Sequence, residues 1–325
     1  MLFNSYEFLI FFPIVVILYF LIPHRYRWIF LTAASYYFYM CWKTEYIILI
    51  IASTLVNYYS GLYLEKLANL KAKKNILLLN LLFNLGILFA FKYLNFFSSS
   101  VQNLLSIFNI FYEIPSVQFL LPVGISFYTF IALGYVLDVY KGARKAEQHL
   151  GYFAAYLSFF PQILAGPIAR STSILPQFSE KHDFDSRRVS DGLKLMLWGF
   201  FKKIVIADRL AILVNHVYNN PQNHEGFTLL LATYFFAVQI YCDFSGYSDI
   251  AIGAAQVLGF KLMENFKRPY YATSISDFWN RWHISLSTWL RDYLFLPLAY
   301  KFTRNMPNKN YLNIPLDKLT YTFAF

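Results

Sequence analysis

The 325 residues carry 58% hydrophobic and only 14% charged side chains, where soluble domains carry roughly 25% charged residues. A chain this poor in charge cannot cover the surface of a soluble globule, and disordered, collagen-like and coiled-coil classes are excluded with it, which leaves the lipid bilayer as its solvent. The formal charge of +10 does not indicate nucleic acid, because the Lys and Arg lie in short loops between apolar runs.

The apolar stretch Ser5 to Ile22 has no basic segment before it and no small-residue cleavage site after it, so it reads as a retained first span rather than a signal peptide. Further runs near the roughly 20 residues needed to cross hydrocarbon follow at 46–64, 75–97, 119–139, 150–168, 192–215 and 228–259, with a shorter one at 28–42. No fixed-period repeat and no alternating ten-residue barrel pattern occurs. The expected fold is therefore all-α, a polytopic transmembrane helical bundle formed by residues 1–325 as a single membrane domain.

Lys and Arg cluster at 24–27, 65–74 and 141–149, whereas Ser98 to Gln118 and Tyr218 to Phe227 contain none. The positive-inside rule then puts the N-terminus outside and the three basic segments inside. Arg170 to Asp191, also basic, falls on the wrong side if 150–168 crosses fully. The interior of that run, FPQILAGP at 160–167, has the Pro and Gly interruptions of a broken helix, and it reads as re-entrant.

Polar groups inside apolar runs are functional candidates because each is costly there. Leu121 to Thr129 joins a Pro-Gly break to hydroxyls whose alternative role is to bond within or between helices. Asp243, Ser245 and Asp249 sit within one long apolar run, and Arg209, Arg281 and Arg291 are candidate partners for the two acids. Lys202 and Lys203 read as lysines that snorkel to the interface. Residues Ile275 to Tyr293 read as one amphipathic helix. Trp279, Trp282, Leu286, Trp289 and Tyr293 form its apolar face, and Asn280, His283, Ser287 and Arg291 form a polar stripe three and four apart. Spacing alone leaves open whether this helix lies in the interface, with a structural His283, or lines a substrate channel. Cys41 and Cys242 form no disulfide framework and no Cys/His zinc spacing, and no metal site is expected.

The run RPYYATSISDFWNRWHISLSTWLRDYLFLPL at 268–298 resembles the signature region of the membrane-bound O-acyltransferases, in the branch of the alginate O-acetylation proteins. LPVGISFYTF at 121–130, YVLDVYKG at 135–142, FFPQILAGPIAR at 159–170, FKKIVIADRL at 201–210, YCDFSGYSDIAIG at 241–253 and MENFKRPY at 263–270 extend the likeness along the whole chain. The resemblance implies a multi-pass enzyme of a bacterial inner or cytoplasmic membrane that moves an acyl group, usually acetyl, to hydroxyls of an exported polysaccharide or wall polymer. It implies a cytoplasmic donor, acetyl-CoA or another acyl thioester, no bound cofactor, and extracytoplasmic acetylation partner proteins. It gives His283 an assisting catalytic role, while helical spacing alone makes Asn280, Ser287 and Arg291, and position inside an apolar run makes Asp243, Ser245 and Asp249, the substrate-channel candidates. The family's principal histidine, in a Trp-His-Gly segment of a later span, has no match here, so a C-terminally incomplete and inactive domain is expected.

Acyl transfer to an alcohol needs a base for the hydroxyl proton and donors for the developing oxyanion. Histidine suits the first task, and no histidine adjoins Cys242 to activate a covalent route. Two other classes compete. The broken spans and intramembrane acids also suit a transporter or flippase for an anionic solute, and the missing histidine suits a non-catalytic scaffold of a polysaccharide export complex. The loop charges predict that single cysteines introduced near Lys71 or Lys145, on a background without Cys41 and Cys242, escape an impermeant thiol reagent in intact cells. A cysteine in the 98–118 segment is expected to react, and labelling near Lys71 from outside overturns this topology.

Overall fold

The computed structural model describes residues 1–108 and 122–305 and a two-residue strand pair at 310–311 and 314–315, with side chains described through residue 301. Apart from that pair the regular secondary structure of the described residues is helical. The helices are α1 (Tyr6–Leu21), α2 (His24–Met40), α3 (Ile47–Lys66), α4 (Leu70–Lys92), α5 (Leu94–Ile107), α6 (Ile125–Tyr140), α7 (Leu150–Ser158), α8 (Phe160–Ile163) and α9 (Ser171–Ile174). Next come α10 (Ser186–Phe200), a π-helical stretch Phe201–Ala207, α11 (Asp208–Asn219), α12 (Gly226–Leu258), α13 (Ile275–Trp279), α14 (Ile284–Leu290), a second π stretch Arg291–Phe295, and α15 (Leu296–Asn305).

Among the described residues three helices are long and apolar enough to cross a membrane, at Thr44–Lys66, Leu70–Lys92 and Gly226–Leu258, and α1 and α6 are shorter apolar helices. The run expected at 192–215 is helical from 186 to 219 but carries Lys194, Lys202, Lys203, Asp208 and Arg209, too many charges for a plain span. Within the run at 119–139, α6 begins at Ile125, directly after Gly124, which sits in the left-handed region at φ 75° and faces the Ile163 carbonyl. Leu121 lies outside the described residues. The run at 150–168 is broken at Phe159 into helices of nine and four residues, each too short to cross. The segment from Ser98, expected as a loop, is helical to Ile107, and 109–118 lies outside the described residues.

The chain divides into two compact units, one of Trp28–Leu164 with Arg170–Ser179 and one of Met1–Arg27, Ala165–Ala169 and the residues from Glu180. In the first, Asn69 caps α4 by accepting the Lys71 N–H at 2.8 Å, which turns the chain back along α3. The facing apolar helices are tied by three buried asparagines. Asn57 Oδ1 accepts from Asn80 Nδ2 and Asn84 Nδ2, both at 3.0 Å, while Asn57 Nδ2 donates to Asn84 Oδ1 at 3.2 Å. Where no water competes, such amides hold helices together and fix their register.

In the second unit Asp185 caps α10, accepting from Arg187 N–H at 2.9 Å and Arg188 N–H at 3.1 Å, and those hydrogen bonds, with Arg188 first, hold its carboxyl below the usual aspartate range. Helices α10 and α12 meet backbone to backbone through glycines seven apart. A Cβ on Gly199 would stand 2.7 Å from the Gly246 carbonyl oxygen, and one on Gly253 2.5 Å from the Gly192 oxygen. Gly253→Ala is therefore expected to destabilise the protein by about 1–3 kcal/mol through overpacking. Gly86→Ala, on α4 where an added Cβ meets nothing within 4 Å, is expected to stabilise by up to about 1 kcal/mol. Thermal unfolding in detergent checks both signs.

Candidate functional site

Close packing of α10 on α12 sets the charges of the second unit. The wide turn of the π stretch brings both consecutive lysines to α12. Lys202 Nζ lies 2.7 Å from Asp249 and donates to Ser245 Oγ at 2.9 Å, and Lys203 Nζ lies 2.6 Å from Asp243 and 2.7 Å from Asp208. Lys202 and Ser245 are buried. The expectation that these lysines snorkel away is thus overturned, and so is the pairing of Asp243 and Asp249 with Arg209, Arg281 or Arg291. The ammonium groups stay because each finds a carboxylate within 3 Å, which offsets the cost of leaving water.

The helix expected over 275–293 is interrupted. Ser274 Oγ caps α13 at the Asp277 N–H, 3.0 Å away, and α13 ends at Trp279. The chain then takes a turn to His283, whose φ of 43° lies in the left-handed region, and α14 begins at Ile284. The stripe is therefore not one face of one helix. Asn280 is exposed in the turn, Ser287 Oγ donates to the Trp282 carbonyl at 3.2 Å, and Arg291 Nε donates to the neighbouring Asp292 at 2.8 Å. None of these three lines the two cavities described below, and His283 does not either. The backbone break follows from the connector 260–268, which runs along this turn: Lys267 N–H donates to the Arg281 carbonyl at 2.8 Å and Ile284 N–H to the Asn265 carbonyl at 2.9 Å. Those bonds replace helical ones.

His283 packs edge-on against Phe244 at 4.6 Å and nearly parallel to Phe266 at 6.5 Å. Burial in these surroundings, outside the membrane-length helices, pushes its pKa down to about 4, so the ring is neutral at pH 7 and able to accept a proton. Its Nδ1 stands 3.2 Å from Oδ1 of Asn265. A cavity of about 850 Å³ is walled by Asn265, Phe266, Ile284 and Asp249 and carries Arg188 and Lys267; it reaches Asn265 of the pair but is not lined by His283. A second, of about 380 Å³, shares Asp249, Phe266 and Lys267 and adds Lys202, Arg268 and Arg281. Asp249 thus joins the histidine neighbourhood, with Ser245 one turn away on Lys202. Asn265, Phe244 and Phe266 were not singled out as site residues, although the motifs holding them were. Their link to His283 is made by a connector that closes over 18 residues, which no local spacing signals. Cys242 is buried. Among the described residues no group of three or more His, Cys, Asp or Glu side chains is arranged to hold a metal ion.

Residues 147–307 match the sequence model of the membrane-bound O-acyltransferase family. Over 304 residues the chain is 42% identical to the probable alginate O-acetylase AlgI of Pseudomonas putida, covering 92% of this chain and 61% of that protein. It is 33% identical over 297 residues to the peptidoglycan O-acetyltransferase of Helicobacter pylori, covering 83% of this chain and 55% of the relative. It is 32% identical over 193 residues to the teichoic acid D-alanyltransferase of Bacillus subtilis, covering 58% and 48%. The chain thus spans about three fifths of the length of the alginate relatives it matches.

The depressed pKa of His283 has a stability consequence. Between about pH 6.5 and 4 the unfolded chain binds a proton at this residue that the folded chain does not, so stability falls as the pH is lowered through that window and is retained above it. His283→Gln is expected to flatten the acid loss by on the order of 1–3 kcal/mol, read as the difference between unfolding midpoints at pH 7 and pH 5.

Proposed function

The chain belongs to the membrane-bound O-acyltransferase family, and from that membership we propose that it forms the catalytic part of a multi-pass enzyme of a bacterial cytoplasmic membrane. The enzyme transfers an acyl group, acetyl first, from a thioester to hydroxyls of an exported polysaccharide or wall polymer. The observation that supports this reading is a neutral histidine, His283, in contact with Asn265 and Phe266, two residues that wall the larger cavity although His283 itself lines neither cavity. The acceptor classes come from the relatives, whose names specify alginate, peptidoglycan and teichoic acid.

In this reading His283, in its assisting role, orients the acceptor hydroxyl or receives its proton as that oxygen attacks the thioester carbonyl. Collapse of the tetrahedral intermediate releases a thiolate that takes the proton back, so an ester and a thiol form and the histidine is regenerated. The oxyanion requires hydrogen-bond donors or cations nearby, and Lys202, Lys267, Arg268 and Arg281 on the cavity walls supply positive potential. The same cations suit a donor carrying phosphate groups, such as acetyl-CoA. In this reading Lys261, Lys267 and Arg268 face the cytoplasm, where such a donor is made. The acetylated polymer leaves on the other face, where partner proteins that take up acetyl groups would act.

Membranes containing the full protein, supplied with radiolabelled acetyl donor and polymer, test the proposal. His283→Ala is expected to lower transfer by about 10²-fold or more at unchanged protein abundance. Retention of full transfer by a folded His283→Ala variant removes the histidine from the chemistry.

A further inference from the structure

Asn265 is 1% exposed and makes more hydrogen bonds than any other residue around the turn. Its Oδ1 accepts from the backbone N–H of Ser285 at 3.2 Å and from Ser285 Oγ at 2.9 Å, and its Nδ2 donates to Ser248 Oγ on α12 at 3.2 Å. The Ser285 contact decides which way the amide points, since a backbone N–H can only donate. A flipped amide would set two donors head to head inside a buried site, leaving both unsatisfied. The atom facing Ser285 is therefore the oxygen. His283 Nδ1 stands 3.2 Å from that same oxygen, so this nitrogen must bring the hydrogen to the contact.

We propose that Asn265 sets the tautomer of His283, holding the proton on Nδ1 and leaving the lone pair on Nε2, and is thereby a positioning residue for acyl transfer. The inference rests on the reading of His283 as the site's base. It adds to that reading which nitrogen receives the acceptor proton. The support is rigid: Ser248 and Ser285 are buried, the Asn265 carbonyl also accepts from Ile284 N–H at 2.9 Å, and Phe244 and Phe266 pack against the imidazole. The choice of an amide also has a chemical consequence. A carboxylate at this place would favour the imidazolium, whereas an amide orients the ring without adding charge.

Solid-state nitrogen NMR of the full protein in lipid bilayers, labelled with ¹⁵N-histidine and compared with His283→Gln to identify the signal, reads the tautomer directly. At pH 7 the His283 ring is expected to carry its proton on Nδ1. Protonation on Nε2, or an imidazolium, overturns the proposal. In Asn265→Asp the pH at which His283 gains its second proton is expected to rise by about 1–3 units, and an unmoved midpoint also overturns it. The other charged groups near the turn, Lys202, Asp249, Glu264, Lys267, Arg268, Asp277 and Arg281, are common to both proteins and cancel in this comparison. Should Asn265→Asp fail to accumulate, the wild-type spectrum alone decides. Because neither measurement needs acyl transfer, an Nδ1–H ring in a protein that transfers nothing counts against the proposed function only, and an Nε2–H ring in an active enzyme counts against this inference only.

Discussion

Backbone contact between α10 and α12 is the constraint on which the second unit depends. Without side chains at Gly192, Gly199, Gly246 and Gly253 the two helices approach until carbonyl oxygens of one meet the Cα atoms of the other. At that distance a lysine ammonium on one helix reaches a carboxylate on its neighbour with little side chain left to order, and Lys202 meets Asp249 at 2.7 Å. Such a pair adds little net stability, but removing one partner strands a buried charge at about 3–5 kcal/mol. The glycines and the ion pairs are thus one device: the first makes the second geometrically possible, and the second penalises any slip of the first. Helix α12, held this way, presents Phe244 and Ser248 to the connector, and through Ser248 it anchors the asparagine that faces the histidine.

Two kinds of polar group are accommodated in apolar surroundings here by different means. On α3 and α4 the amides of Asn57, Asn80 and Asn84 satisfy one another. Next to His283 the amide of Asn265 is itself held by two serines, and two of the residues His283 touches, Asn265 and Phe266, wall a cavity. Satisfied networks rigidify. An imidazole oriented by an amide takes on no charge from its partner, and burial between aromatic rings keeps the ring neutral at pH 7.

The all-α class and the long apolar helices were legible because hydrophobic runs of the required length leave few alternatives in lipid. The break near residue 160 was legible for the same kind of reason, since Pro161 and Gly166 interrupt the run. The Trp-rich stretch was misread as one helix because its periodicity is helical on both sides of the break, and the interruption is imposed by backbone hydrogen bonds from Lys267 and Ile284 to residues distant in sequence. The lysine partners of Asp243 and Asp249 were missed for a related reason. Adjacent lysines on a regular helix point about 100° apart, and only the wide turn after Phe200 lets both reach α12. His283 was identified from its motif, and Asn265, in a motif already recognised, was not, because hydrogen-bond partnership across a connector has no period to detect.

The left-handed backbone at His283 acts as a filter on chemistry. At a φ of 43° most side chains crowd the peptide that precedes them, and glycine, asparagine, aspartate and histidine are the residues that settle there most readily. Of these four, glycine brings no functional group and asparagine cannot take up a proton near neutrality. Aspartate accepts one but would bring a negative charge against two phenylalanine rings. Histidine alone is compatible with the turn, neutral in its resting form and basic. The fold therefore narrows the choice of residue at this position before any substrate arrives, and a variant that relaxed the turn into continuous helix would admit many side chains while losing the reason for this one.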